Sequence, residues 1–385
     1  MATLGPLVPA DETLNHQITD TFATVAQTDR AWTEKVWAMA AASDGSVQLA
    51  FGLGKYANRN VLDGCAGVSR GTEQWTVRAS RGLASDPETL CVGPIRYEVL
   101  EPFRRVRFAL EPNDVSPIAF EWVLDGVVPP FLEEREQHRS RDGARLDADI
   151  VRYHQSGTAS GWVEVNGRRT KLDSSWVSTR DHSWGVRYGV GTPIGDVAPA
   201  SVPHGLAALT AWAPLLCQRA DGSRYALHVY YQARAFGDWR SVEFQGGEEL
   251  PTGERRTFGT CVPELRFRDD NRRFLGGLLH LTMPDGTERP LTFAPVSDTG
   301  FHLGTGLYFG YEGHFHGEYR GRSHLEADHV TGCDEPQVAR RVHQLRDCVV
   351  SVDDPVGGGT GLGTFQTVVL GSHPDMGLTE DASFL

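Results

Sequence analysis

Apolar and polar residues alternate along much of this chain, and a period of two is the mark of a half-buried β-strand. The segment "IRYEVLEPFRRVRFALEPND", residues 95–114, holds two such runs around a Glu-Pro break, with Val106, Phe108 and Leu110 alternating against Arg105, Arg107 and Ala109. "IAFEWVLDG" alternates again, and in "GWVEVNGRRTKL" Trp162, Glu164 and Asn166 share one parity while Val163 and Val165 take the other. Asn166-Gly167 predicts a tight type I′ hairpin there, because both residues tolerate positive φ. "SVQLAFGLG", "SRYALHVYYQARAF", "PELRFRD", "GLLHLTMPDGTERPLTF", "GEYRGRSHLEA" and "GTFQTVVLG" read the same way, each bounded by Gly, Pro or Asp-Gly.

Helical spacing is scarce. In "DEPQVARRVHQLRD" Asp334 can cap, Pro336 suits the first turn, and Val338, Val342 and Leu345 fall on one face. "DETLNHQITDTFATV" near the start, with Leu14, Ile18 and Phe22 on one face, is a second, weaker helical pattern. The expected class is therefore all-β with one or two short helices. Antiparallel chains of this kind close into barrels or sandwiches, which removes exposed edges. At 385 residues there is room for two barrels. The Gly- and Pro-rich stretch 189–205 marks the junction, giving domains 1–188 and 189–385; the aperiodic tail after about residue 371 is expected to lie over the surface.

Composition narrows the partners. The formal net charge of −13 argues against nonspecific binding to DNA or anionic lipid. No run of eighteen apolar residues is present and "MATLGPLVPADETL" lacks the basic and apolar regions of a secretory signal, so a cytoplasmic address is expected with no membrane span. Six cysteines without a CxxC pair fit reduced, buried thiols.

One stretch breaks the β pattern. "STRDHSWGVR", residues 178–187, sets Arg180, Asp181 and His182 side by side ahead of Trp184-Gly185. In a strand Arg180, His182 and Trp184 share one face and Thr179, Asp181 and Ser183 the other. Both faces then carry groups that resist burial alone, which suits a strand at a junction, with a polar network on one side and a cavity on the other.

"RDHSWG" resembles the signature, roughly Tyr-x-Asp-His-Asn-Trp-Gly, of the carotenoid hydratase, AttH-like and Diels–Alderase-like group. The order of "VGPIRYEVLEPFRRVRF", "SGWVEVNGRR", "RDHSWGVR" and "GEYRG…VHQLRD" is nearest to an actinobacterial branch of that group with no assigned activity. The resemblance runs from about residue 90 to 370. It implies two lipocalin-like (calycin) barrels in tandem, with an apolar ligand site in or between them. It also implies cofactor-free chemistry on hydrophobic polyenes by water addition or cyclisation. Thr179 stands in place of the signature Tyr and Ser183 in place of Asn, so water addition to a carotenoid does not carry over.

Adding water to an alkene begins with protonation of carbon, which calls for a neutral carboxyl group in an apolar pocket. Asp181 is the candidate acid, and His182 could orient a carboxyl or hold a water. Tyr153, Trp162, Trp176 and Trp184, with Arg180, are the candidate substrate-binding residues, since aromatic faces stabilise a carbocation. Against this stands a structural ion pair of Asp181 with Arg180, Arg187 or a remote arginine, and plain core packing of Trp184.

In "GYEGHFHGEYRG", His314, His316 and Glu318 follow at i, i+2 and i+4, so a strand would aim all three one way, as a facial triad for iron or three ligands for zinc. A polar pocket wall, or a Glu318–Arg320 pair, is the plainer reading. "GGGTGLG" (357–363) lacks the Lys-Ser/Thr of a phosphate loop and reads as a flexible loop. The charged stretch 129–149 reads as a solvated loop or short helix at a barrel rim, from which Glu133 and Glu134 could reach a pocket mouth.

Three functions fit. The first is an acid-catalysed hydratase, cyclase or isomerase on a terpenoid, polyketide or steroid-like molecule, with no cofactor. The second is a carrier of a lipophilic ligand without chemistry. The third is a metal enzyme using His314, His316 and Glu318. A homodimer is compatible with all three.

Overall fold

The computed structural model describes residues 10, 14, 19–22, 24–83, 89–140, 145–195, 198, 205–342 and 345–383. Among these residues the strands form two antiparallel sheets, of fourteen and ten strands. The first runs, neighbour to neighbour, through Ser323–Val330, Glu73–Gly82, Val61–Arg70, Gln48–Tyr56, Trp32–Ala41, Val177–Val186, Leu146–Val165, Ile118–Gly126, Arg105–Leu110, Ile95–Glu101 and Cys91–Val92. The second runs through Arg255–Thr257, Trp239–Glu249, Arg224–Phe236, Ala207–Arg219, Gly359–Leu370, Arg346–Asp354, Glu288–Pro295, Phe274–Thr282 and Thr260–Phe267. Each sheet curls around its own apolar core, so the chain is all-β: two lipocalin-like barrels in tandem.

The lumens are filled by side chains. Phe51, Phe108, Phe120 and Trp122 fill the first, with Phe108 and Trp122 stacked 4.8 Å apart; Phe274, Phe293 and Phe365 fill the second. Each fully buried ring of this size contributes about 1.5–3 kcal/mol. Where the sequence alternates, one face of the strand enters a lumen: Val106, Phe108 and Leu110 are buried and Arg105 is exposed. The Asn166-Gly167 hairpin forms as expected, with φ of 52° and 76° and Val165 paired to Arg168.

Two features depart from the expectations. The helix covers only Pro336–Val342, and by Arg346 the chain is already extended in the second sheet. Val342 and Leu345 are nonetheless buried. The Ser323–Val330 strand, though it follows residue 189, joins the first sheet beside Glu73–Gly82, where Arg78 binds Glu326 at 2.8 Å and Asp328 at 2.5 Å. The second helical pattern, residues 11–25, lies largely outside the described residues. All six cysteines are free thiols, and no helix among the described residues is long and apolar enough to cross a membrane.

The barrels meet along a seam on the outer faces of the sheets. Trp37, Ala50 and Cys65 pack there on Phe301, Leu303 and Leu345, and Met39, Ala41 and Val177 pack on Leu216 and Val349. Between and beside these apolar patches lies a buried charged network.

Candidate site at the seam between the barrels

The Val177–Val186 strand pairs along its whole length with Trp32–Ala41 on one side and Leu146–Val165 on the other. A strand held on both sides keeps strict alternation, so its two faces have separate surroundings. Arg180 and His182 sit opposite Ala38 and Val36, which belong to the first core. On that face the Gln155 side-chain oxygen accepts two bonds from the Arg180 guanidinium, at 2.8 and 3.0 Å. The Tyr153 hydroxyl meets His182 Nδ1 at 2.9 Å, Glu34 meets His182 Nε2 at 3.0 Å, and the Trp184 ring lies edge-on to both Tyr153 and His182. Three of the expected binding residues, Tyr153, Arg180 and Trp184, are thus brought together with His182, the expected partner of the acid, facing the first barrel.

Asp181 faces the other way, into the seam. Its Oδ1 accepts the Trp37 backbone N–H at 3.0 Å, its Oδ2 lies 3.3 Å from Arg152 Nε, and 14% of its side chain remains accessible. Burial raises its pKa, and the Arg152 and Arg187 guanidiniums offset part of that rise. Trp162 and Trp176 do not share this space. Trp176 is packed in the first core, and Trp162 lies under the Arg169 guanidinium, 3.7 Å from ring to cation. Trp162 is on the same strand as Arg152 but ten residues further on, about 33 Å at strand rise.

The His314, His316, Glu318 arrangement does not form. The segment is a succession of turns, with positive φ at Gly310, Glu312, Gly313 and Gly317, so strand parity does not apply. His314 pairs with Glu318 at 3.1 Å on the half-exposed side. His316 turns inward, where its Nδ1 meets the Tyr56 hydroxyl at 2.9 Å and Lys35 Nζ at 3.3 Å. Burial and the Lys35 charge hold His316 well below its usual pKa, and burial also lowers Lys35 to about 8. Asp63 completes this group by accepting the Gly317 N–H at 2.5 Å.

The charged stretch 129–149 gives the largest correction. Phe131–Leu132 pairs with Tyr153 and His154 of the long strand, and Glu133 is carried inward to 4% exposure rather than into solvent. Its Oε1 accepts Trp212 Nε1–H at 3.0 Å and meets His154 Nδ1 at 2.9 Å; its Oε2 lies 3.2 Å from Arg152. His154 Nε2 meets Glu249 Oε1 at 2.9 Å, and the His228 ring stacks on His154 at 3.8 Å. Burial opposes ionisation of Glu133, but His228, Arg152 and His154 together hold it well below the usual carboxylate range. Burial likewise opposes charging of His154, yet Glu249 and Glu133 raise it above an ordinary histidine; burial and the His154 charge push His228 down. The ligand atoms of Glu133, His154 and His228 all lie within 4.8 Å of one another.

A cavity of about 330 Å³ opens on this network, lined by Glu133, Glu136, Ile150, Arg152, Tyr230 and Phe244 among others. Both barrels contribute to its wall, and Arg152 connects it to Asp181. Sequence reasoning missed Arg152, His154, His228 and Glu249. A histidine within the apolar run "YALHVYY" was the one available signal, and its partners lie 74 to 95 positions upstream.

Fold and site together define a tandem lipocalin-like protein with an ionised cluster buried between its barrels. The chain belongs to DUF8625, a family of unknown function, whose model matches residues 7–379. Among solved structures, an AttH from Nitrosomonas europaea is similar at 13% identity, covering 87% of this chain and 91% of that one with a TM-score of 0.51. Kievitone hydratase from Nectria haematococca aligns at 9% identity over 87% and 88% of the two chains, TM-score 0.43. CghA aligns at 8% identity over 88% and 87%, TM-score 0.41. The likeness to the AttH shows a shared fold. No curated protein matches the chain.

Proposed function

We infer that this protein is an acid–base enzyme of the hydro-lyase or isomerase type, with its reacting groups at the seam and a small molecule held in the 330 Å³ cavity. The observation that carries the reading is the position of Asp181: a carboxyl group mostly withdrawn from water, fixed by the Trp37 N–H, and one guanidinium away from that cavity. Charged and amide side chains make up most of the wall, so it suits an oxygen-bearing molecule with a limited apolar portion. Ile150, Tyr230 and Phe244 meet that portion and Arg152 meets the oxygen. A substrate oxygen that draws Arg152 toward itself leaves Asp181 less neutralised, which favours its protonated, proton-donating form. The proton goes to an alkene carbon, or to a departing hydroxyl in the reverse direction. Water then adds to the cation, or a neighbouring C–H bond breaks, and in either case the proton released returns to the Asp181 carboxylate. A terpenoid, polyketide or steroid-like compound meets these requirements. The filled lumens weigh against a carrier that encloses its ligand within one barrel.

The test begins with mass spectrometry of small molecules that copurify with the protein. The compound so identified is then incubated in heavy water with the wild-type chain and with Asp181→Asn. The expected outcome is deuterium on carbon, or water gained or lost, with the wild type. The variant should bind the compound and lose turnover by at least about 100-fold, the ordinary contribution of a positioned acid. Equal turnover by the variant removes Asp181 from the chemistry.

A further inference from the structure

His228 presents a physical anomaly. It is fully buried, and neither ring nitrogen has a hydrogen-bond partner. Its Nε2 lies 3.3 Å from Glu133 Oε1, but without the alignment of a hydrogen bond, and that oxygen already serves Trp212 and His154. Leaving such a group unsatisfied costs about 1–3 kcal/mol. The neighbouring Glu249 Oε2 is likewise buried without a partner.

We propose that Glu133, His154 and His228 form a binding site for a divalent transition-metal ion of the zinc class, open toward the cavity between the barrels. The ligand set is two imidazoles and one carboxylate, the donors that favour zinc and its neighbours over magnesium or calcium. The spacing agrees. Tetrahedral zinc with bonds of about 2.0–2.1 Å needs ligand atoms about 3.3 Å apart. Glu133 Oε1 lies 2.9 Å from His154 Nδ1 and 3.3 Å from His228 Nε2. An ion at their centre gives His228 Nε2 the partner it lacks. The surroundings follow the pattern of metal-binding histidines. His154 presents its second nitrogen to the Glu249 carboxylate at 2.9 Å, which fixes the ring, and Trp212 Nε1–H holds the Glu133 carboxylate in place. Glu133 lines the cavity, so an ion held on its carboxylate would lie beside that space. The three ligands come from a loop and strand of the first sheet and a strand of the second, so the ion would also tie the barrels together. The site goes beyond the acid role of Asp181 and stands or falls separately from it.

The test uses the full chain freed of metal by dialysis against a chelator and checked by elemental analysis. It is titrated with Co²⁺, then with Zn²⁺. One equivalent of Co²⁺ is expected to give the visible absorption of a low-coordinate nitrogen–oxygen site, displaced by one equivalent of Zn²⁺. His228→Gln should lose stoichiometric uptake. Glu249→Gln, which keeps the ligands and alters only the group behind His154, should weaken Zn²⁺ by about 10–100-fold. His314→Gln, at the half-exposed pair with Glu318, should bind as the wild type does. Failure of the wild-type chain to take up either ion stoichiometrically overturns the proposal. So does undiminished binding in His228→Gln, or, where that variant does not fold, undiminished binding in Glu249→Gln.

Discussion

Asp347 offers a quantitative test of the seam. It is fully buried on the Arg346–Asp354 strand and accepts Trp37 Nε1–H at 2.8 Å across the barrel boundary, the Thr364 hydroxyl, and Gln366 at 3.4 Å. Burial raises its pKa from 3.8 to about 6, even though these three donors pull it down. A carboxyl whose proton affinity rises on folding favours the folded state while protonated. That advantage is lost as pH climbs from the unfolded value, 3.8, through the folded one, about 6. At 1.36 kcal/mol for each tenfold change in proton affinity, the full loss is about 3 kcal/mol at pH 7.5 and about half of that at pH 5.

Asp347→Asn removes the charge and keeps the shape. Its amide oxygen can still accept from Trp37, and its NH₂ can donate to Thr364, whose hydroxyl turns to receive it. The variant should therefore be more stable than the wild type at pH 7.5 by up to about 3 kcal/mol, with the gain falling to about half at pH 5. Urea unfolding followed by far-UV circular dichroism at the two pH values reads this directly. An Asn variant no more stable than wild type at pH 7.5, or a difference that fails to shrink on acidification, refutes the assignment of Asp347 as a destabilised buried carboxylate.

Two further outcomes are expected from the same structure. Arg289→Met leaves Asp354, which Arg289 meets at 2.5 Å, buried without a cation, while Glu248 keeps Arg219 at 2.5 Å; the loss should be about 3–5 kcal/mol in the same urea assay. Gly167→Ala at the hairpin forces a side chain into φ of 76° with nothing within 4 Å of the added methyl, so a loss of about 1–2 kcal/mol from backbone conformation alone should appear as a lowered urea midpoint.

The residues that could be read correctly from sequence were those whose surroundings are local. The Asn166-Gly167 turn needs only its own backbone, and the alternation at Val106, Phe108 and Leu110 needs only one buried face. The motif at residues 178–187 kept its parity because strands flank it on both sides. The failures share a cause. Trp32–Ala41 and Val61–Arg70 are buried on nearly every residue, one face toward a lumen and the other toward the seam, and so show no alternation. His316 was misread because glycines break the strand on which the i, i+2 rule depends. Glu133 looked solvated because its neighbours Glu134 and Arg135 are charged, while its partners Arg152, His154, Trp212 and His228 lie 19 to 95 positions away.

The seam itself argues for a role beyond adhesion. Two apolar patches, around Trp37 and Phe301 and around Met39 and Leu216, already join the barrels. Burying Glu133, Arg152, His154, Asp181 and Glu249 beside them adds ions whose desolvation costs several kcal/mol each, and apolar side chains of similar size commonly match or exceed the stability of such networks. A purely structural junction would be expected to replace them. It would also have no use for His228, a polar ring with neither nitrogen satisfied. The charges are concentrated where a cavity reaches the seam, with Glu133 and Arg152 forming its wall and Asp181 directly behind. Stability is given up where both barrels bring ionised groups beside a cavity, an arrangement that suits a binding or catalytic site better than a structural clasp.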